Sequence, residues 1–212
     1  QTIFYVFLTV TFLVVIGNSS MLFQYFKCDE FPEAAGEGIT RGDFPRYLAL
    51  DYNIDCDSPR YNYYWSFAFF MLGVYPIGIP SMYYVLLAKH KDILQDRHAV
   101  EEEERRDYPT IGHLMFLVQS YRPEYWYFEI LETVRRLLLA SALGMVASDS
   151  AAAPTMGVLI CMGFLFVFIR FEPFKVRNNN ILTIVLAYST TLFFLAAILI
   201  KVDAAGTDSG AD

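Results

Sequence analysis

The chain has 212 residues, 55% of them hydrophobic and 17% aromatic, with a mean hydropathy of +0.35. Ordinary soluble domains carry about 45–50% apolar residues even with glycine counted, so the composition points to a membrane protein. A net charge of −7, with no basic stripe standing clear of neighbouring acids, argues against a nucleic-acid partner.

An apolar segment follows Gln1 directly, so the chain reads as part of a longer protein. No basic region precedes that segment as a secretory signal requires. Five segments approach the roughly 20 residues needed to cross a bilayer: residues 2–26, 63–88, 125–147, 154–174 and 181–201. The expected fold is all-α, a polytopic membrane helical bundle of about five helices within residues 1–203. Residues 27–61 are expected as an acidic loop, 89–124 as a charged connector helix and its sequel, and 204–212 as a polar tail. The bilayer itself, and further transmembrane helices of the same chain or of a larger complex, are the expected partners.

The first segment is interrupted by a polar step at Gly17–Ser20. The loop after it contains LALDYNIDCDSP, with Asp51, Asn53, Asp55 and Asp57 at every second position. Its opening D-x-N-x-D fits a calcium-binding EF-hand, which then needs Gly at position 6 and Glu at position 12. Those positions hold Cys56 and Asn62, so Asp51, Asp55 and Asp57 read as an acidic, solvated loop. The second segment carries Pro76, Gly78 and Pro80 within five residues. Each proline removes a backbone donor and crowds the preceding turn, which predicts a kink or break and a candidate hinge. Lys89–Asp107, KHKDILQDRHAVEEEERRD, is an aqueous stretch expected as a charged helix leaving the membrane.

The third segment breaks membrane rules. Beyond Arg136 only Leu137–Ala147 remain before a polar turn, about 16 Å of helix at 1.5 Å per residue. Either the segment is shallow, or YWYFEILETVRR enters with its charges. Glu129, Glu132 and Arg136 fall on one helical face, and Glu132 and Arg136 have the i, i+4 spacing of an ion pair. Arg135 stands beside them. Charged groups at such depth face a protein interior or a wet cavity. The competing reading is an interfacial helix start, with Tyr125, Trp126 and Tyr127 as an aromatic belt and the arginines reaching for headgroups. The fifth segment places Thr183 and Thr190 on one face.

Lysine and arginine placement gives 11 basic residues on the side of the connector against 5 on the other, which makes the connector cytosolic. Cys28 and Cys56 then share one extracytosolic loop, where a disulfide between them is expected. Cys161 is alone in an apolar segment and reads as packing. His90, His98 and His113 lack metal-ligand spacing, and no catalytic, metal or cofactor motif occurs.

Four phrases taken together, FQYFKCDEF, YLALDYNIDCDSPRY, YPIGIPSMYYVLL and SYRPEYWYFEILETVRRLLL, resemble the C-terminal membrane domain of large TRP-like proteins (transient receptor potential or polycystin-like) of algae and protists. The resemblance spans most of residues 20–175. It implies that residues 1–26 form an internal helix and that the function is of cation-channel type. One departure stands out. TRP-type channels place a pore loop between their last two helices, whereas here the last two segments are joined by only about Lys175–Asn180. The alternative expectation is a non-conducting membrane anchor or accessory subunit. A transporter site formed jointly by Tyr75–Pro80 and the charged face is a third.

Overall fold

Helix α1 (Thr2–Tyr25) is apolar on every side and buries a single stripe, Leu8, Val15, Ser19 and Phe23, at helical spacing. Ile3, Val6, Phe7, Val10, Leu13 and Met21 are left exposed, as on a helix most of whose surface faces lipid. The structure, a computed structural model, describes residues 2–31, 44–96, 98, 102, 114–145 and 152–208, without the side chains at 2, 4, 5, 142–145 and 203–208.

The expected acidic loop contains a small antiparallel sheet, so the all-α expectation is corrected at this point. Strands β1 (Cys28–Glu30), β2 (Arg46–Leu48) and β3 (Asp51–Asp55) pair in chain order, with Cys28 opposite Leu48 and Tyr47 opposite Asp55. Asp51, Asn53 and Asp55 belong to β3, where alternation sends neighbouring side chains to opposite faces, and Asp57 lies in the turn after it. Cys28 and Cys56 form the expected disulfide, with Cα atoms 6.5 Å apart. Beside it, Tyr25 and Tyr61 stack at 5.2 Å, and the Tyr61 hydroxyl donates to Tyr25 O at 3.1 Å. The end of α1 is thereby clasped to the start of the next helix.

That helix, α2 (Pro59–Leu72), opens on a Ser58 cap whose hydroxyl accepts from the Tyr61 amide, with Pro59 in the first turn where no donor is needed. It continues through a π-helical turn, Gly73–Gly78, into α3 (Ile79–Lys89). The expected break is therefore a register change within one helical run. Pro76 removes a donor from the α-helical ladder, and the chain answers by bonding five residues back, Ile79 N to Val74 O. A Cβ on Gly78 would meet Gly73 O at an ordinary 3.4 Å, so the turn is set by the proline rather than by that glycine.

Of the expected charged connector helix, α4 (Lys91–Gln95) is described up to an extended Asp96, and His98 and Glu102 are again helical; residues 97, 99–101 and 103–113, His113 included, lie outside the described residues. Leu94 is buried against the bundle, and α5 (Met115–Val118) brings Leu114, Leu117 and Val118 into the same cluster with Leu8, Tyr83 and Leu87. Trp126, expected at a lipid interface, is buried there and stacks on Tyr84 at 5.8 Å.

Helix α6 (Phe128–Met145) runs beside α7 (Ala152–Phe171) in the opposite sense, with Phe128 against Phe168 at one end and Leu139 near Val158 and Cys161 further along. Helix α8 (Arg177–Asp208) returns along α7. Among the described residues four helices are long and apolar enough to cross a membrane: Val6–Tyr25, Pro59–Lys89, Ala152–Phe171 and Arg177–Val202. This is consistent with an integral membrane protein. Helix α6, expected as a fifth span, is not among them because four of its 18 residues are charged. Between apolar helices the bonds are made by packing and the occasional polar contact. One such contact is the Tyr83 hydroxyl donating to Leu8 O at 2.5 Å, which ties α3 to α1.

The disulfide closes a separation of 28 residues. On chain-entropy grounds a Cys28→Ser/Cys56→Ser variant should lose about 3.5 kcal/mol, read as a lower unfolding midpoint that the wild type matches in reductant. Two carboxylates in and beside the sheet add a pH dependence. A hydrogen bond from Arg46 holds Asp57 below the usual carboxylate range, and the Asn53 amide with its side chain does the same for Asp51. Both titrate lower folded than unfolded, so their contribution is complete above about pH 4 and lost as pH falls through the folded value. Amide exchange in β2 and β3 should quicken below about pH 4, and Asp57→Asn should flatten that response.

Candidate functional site

The charged residues of α6 all lie in its first three turns, and the helix presents them toward α7 and α8. Glu132 is buried at 8% exposure. Its carboxylate accepts from Arg135 Nε at 2.8 Å and Nη2 at 2.5 Å, and from Arg136 Nε at 3.2 Å. The i, i+4 pair expected from the sequence is present, but the closer bidentate partner is Arg135. The Arg135 guanidinium also lies over the Phe168 ring of α7, 5.9 Å from its centroid. One acid and two bases thus form a fixed unit at the α6–α7 contact, the arrangement a buried carboxylate needs if it is to stay charged.

Glu129 sits one turn earlier, and its Oε2 accepts from the Tyr121 hydroxyl at 2.6 Å. Tyr121 is buried and packs its ring, tilted, against Phe128 and Phe174. Its segment pairs in antiparallel fashion with the turn that joins α7 to α8. Arg122 N donates to Pro173 O at 2.9 Å, and Lys175 N donates to Ser120 O at 3.0 Å. That turn begins at Glu172, whose φ of 43° ends α7 in the left-handed region, and passes through Pro173, which cannot continue a helix. Asn180, in the first turn of α8, completes it: Phe174 N donates to Asn180 Oδ1 at 2.9 Å, and Asn180 Nδ2 donates to Phe174 O at 3.0 Å. Both free backbone groups of Phe174 are satisfied by one buried amide.

Between these groups and α8 lies a cleft of about 410 Å³. Glu129, Glu132, Arg135 and Arg136 line one wall, and Thr183, Leu186, Ala187 and Thr190 line the other. The two threonines expected to share a face of the fifth segment therefore look onto the charged face. Thr190 donates to Leu186 O in its own helix, which leaves its oxygen as an acceptor toward the cleft.

No protein-family model, curated protein or solved structure matches the chain. The site must be read from its own chemistry.

The other candidate residues lie elsewhere. Pro76 and Gly78 stay within the π-helical turn and do not line the cleft. Pro80 meets Glu129 only across a cavity of about 10 Å³ shared with Phe12, Tyr83 and Thr133, a space near the size of one water. Asp51 and Asp55 belong to the sheet at the far end of α1, and Asp57 to the turn that follows it. There Asp57 pairs with Arg46 and Asp51 caps its own turn through Asn53. Among the described residues no group of three or more His, Cys, Asp or Glu could hold a metal ion.

Sequence reasoning missed Tyr121, Phe174 and Asn180. RNNN reads as a polar turn, yet Arg177 begins α8 and Asn180 is only 4% exposed. The available signal was an asparagine six residues after a phenylalanine at a helix start, too common a pairing to single out.

Replacing Asn180 with Ala should cost about 1–3 kcal/mol by orphaning two backbone groups of the half-buried Phe174, and Asn180→Asp should fall between Ala and wild type because only the acceptor survives. Thermal unfolding in detergent checks the order. Glu132→Gln, which leaves two guanidinium groups facing a neutral acceptor, should cost about 3 kcal/mol or more by the same measurement.

Proposed function

We propose that the chain is the membrane domain of a cation-channel-type protein, and that its charged helix α6 serves gating rather than conduction. The resemblance to TRP-like proteins suggests the class. The observation that carries the role of α6 is the double tether of Glu132 to Arg135 and Arg136. A cation path wants unneutralised carboxylates along its length. Here the arginines cancel Glu132 and leave Glu129 as a lone carboxylate held by the Tyr121 hydroxyl, and the pairing of the Tyr121 segment with residues 173–175 ties α6 to the connector-side segment. Such a unit passes movement of that segment to α6 and on to α7, which is the work of a gating element.

A second reading has its own observation. The disulfide-held sheet displays Asp51 and Tyr52 outward on a rigid support, which suits a non-conducting anchor for an extracytosolic assembly.

Recording from the protein reconstituted in lipid separates the two. The gating reading expects cation currents whose open probability changes in Arg136→Gln with unit conductance unaltered. A change in conductance instead would put α6 in the conduction path. Silence from correctly folded protein across voltage, calcium and tension would remove the channel reading and leave the anchor.

A further inference from the structure

We propose that the cleft between α6 and α8 binds a phosphoethanolamine-type zwitterion, a phosphate with a primary ammonium a few bonds away. The inference holds whether or not the domain conducts.

It starts from the charge inventory of the cleft. Glu132 and Arg135 are spent on each other through two parallel hydrogen bonds. That leaves one cation, Arg136, and one anion, Glu129, on the same wall. Among the described residues no ion pair joins them. Each is held by something else: Arg136 by its Nε on Glu132, Glu129 by the Tyr121 hydroxyl on Oε2. Both keep unspent capacity. The terminal nitrogens of Arg136 and Oε1 of Glu129 make no hydrogen bond to a described residue.

A cation and an anion that line one cleft of about 410 Å³ without pairing complement a ligand that carries both charges in reverse. The planar guanidinium suits a phosphate, and the carboxylate suits an ammonium. Ser120 and Thr183 add hydroxyl groups for the remaining phosphate oxygens. Preorganisation by Tyr121 and Glu132 removes much of the cost of ordering the two charges on binding. Leu186, Ala187 and Phe168 supply the apolar remainder of the lining, so the same headgroup can arrive free or on a lipid.

The test uses the full chain purified in phospholipid-free detergent and titrated calorimetrically with O-phosphoethanolamine, inorganic phosphate and ethanolamine. Saturable binding of O-phosphoethanolamine, tighter than either half, should weaken about tenfold or more in Arg136→Gln and in Glu129→Gln, as loss of one charge-assisted hydrogen bond implies. In parallel, mass spectrometry of mildly extracted protein reads retained phosphatidylethanolamine. Retention that both variants abolish, with no soluble binding, assigns the headgroup to a lipid and supports the site equally. Thr183→Val, a milder change, should weaken binding about threefold and decides the matter if the charge variants misfold; an unchanged affinity there overturns the proposal. Phosphate binding as tightly as the zwitterion and indifferent to Glu129→Gln also overturns it. So does the absence of both soluble binding and retained lipid.

Discussion

Glu132 is the constraint around which the helices are arranged. A buried carboxylate on a helix flanked by apolar neighbours is tolerable only if its charge is met locally. The spacing of Arg135 and Arg136 meets it from the same helix, one turn on. Because the compensation is internal to α6, no partner helix has to carry a charge. Helix α1 can remain uncharged throughout, and α7 contributes only the Phe168 ring to the Arg135 guanidinium. The charges fix the rotation of α6 about its axis. With Glu129, Glu132 and Arg136 toward the cleft, Ile130 is turned to the cluster that holds Leu8 and Trp126.

The hairpin of α7 and α8 is locked at both ends by different means, and the cleft lies between the locks. At one end the reversal depends on Pro173 and a left-handed Glu172, a conformation costly for a residue with a Cβ and sustained by the pairing of residues 173–175 with 120–122. Asn180 then replaces the strand partner that Phe174 lacks. At the other end, Gly157 lets Phe194 approach so closely that a Cβ would lie 2.7 Å from the ring. Tight contact near Gly157 and a rigid turn near Phe174 leave Thr183 and Thr190 facing the charges of α6 across open space.

The parts of this fold that local chemistry dictates were legible in the sequence. Apolar length marked the four candidate spans, shared loop membership paired Cys28 with Cys56, and helical spacing put Glu129, Glu132 and Arg136 on one face. What escaped depends on tertiary company. Asp51, Asn53 and Asp55 alternate with Tyr52 and Ile54 at the period of a strand, but their acidity suggested a solvated loop. Only pairing through β2 to the segment held by Cys28 makes the strand visible. Pro76 announced a disturbance without its form, since a missing donor can be met by a kink, a break or a π turn. The burial of Trp126 required knowing that the chain folds back under Leu87.

The distribution of firm and soft elements bears on what such a domain can transmit. At the sheet end a disulfide and the stacked Tyr25–Tyr61 pair fix α1 to α2. At the connector end Tyr83 ties α3 to α1, and the Tyr121–Phe174 junction ties α6 to the α7–α8 turn. Between the two anchorages of the α2–α3 run lies Gly73–Gly78, with no buried side chain and the less favourable bonding of a π helix. A helix clamped at both ends yields where its bonding is weakest. On the proposed gating role, relative motion of the sheet and connector ends would be absorbed at Pro76. Motion of the connector itself would reach α6 directly through the Tyr121 hydroxyl on Glu129, without having to bend any helix.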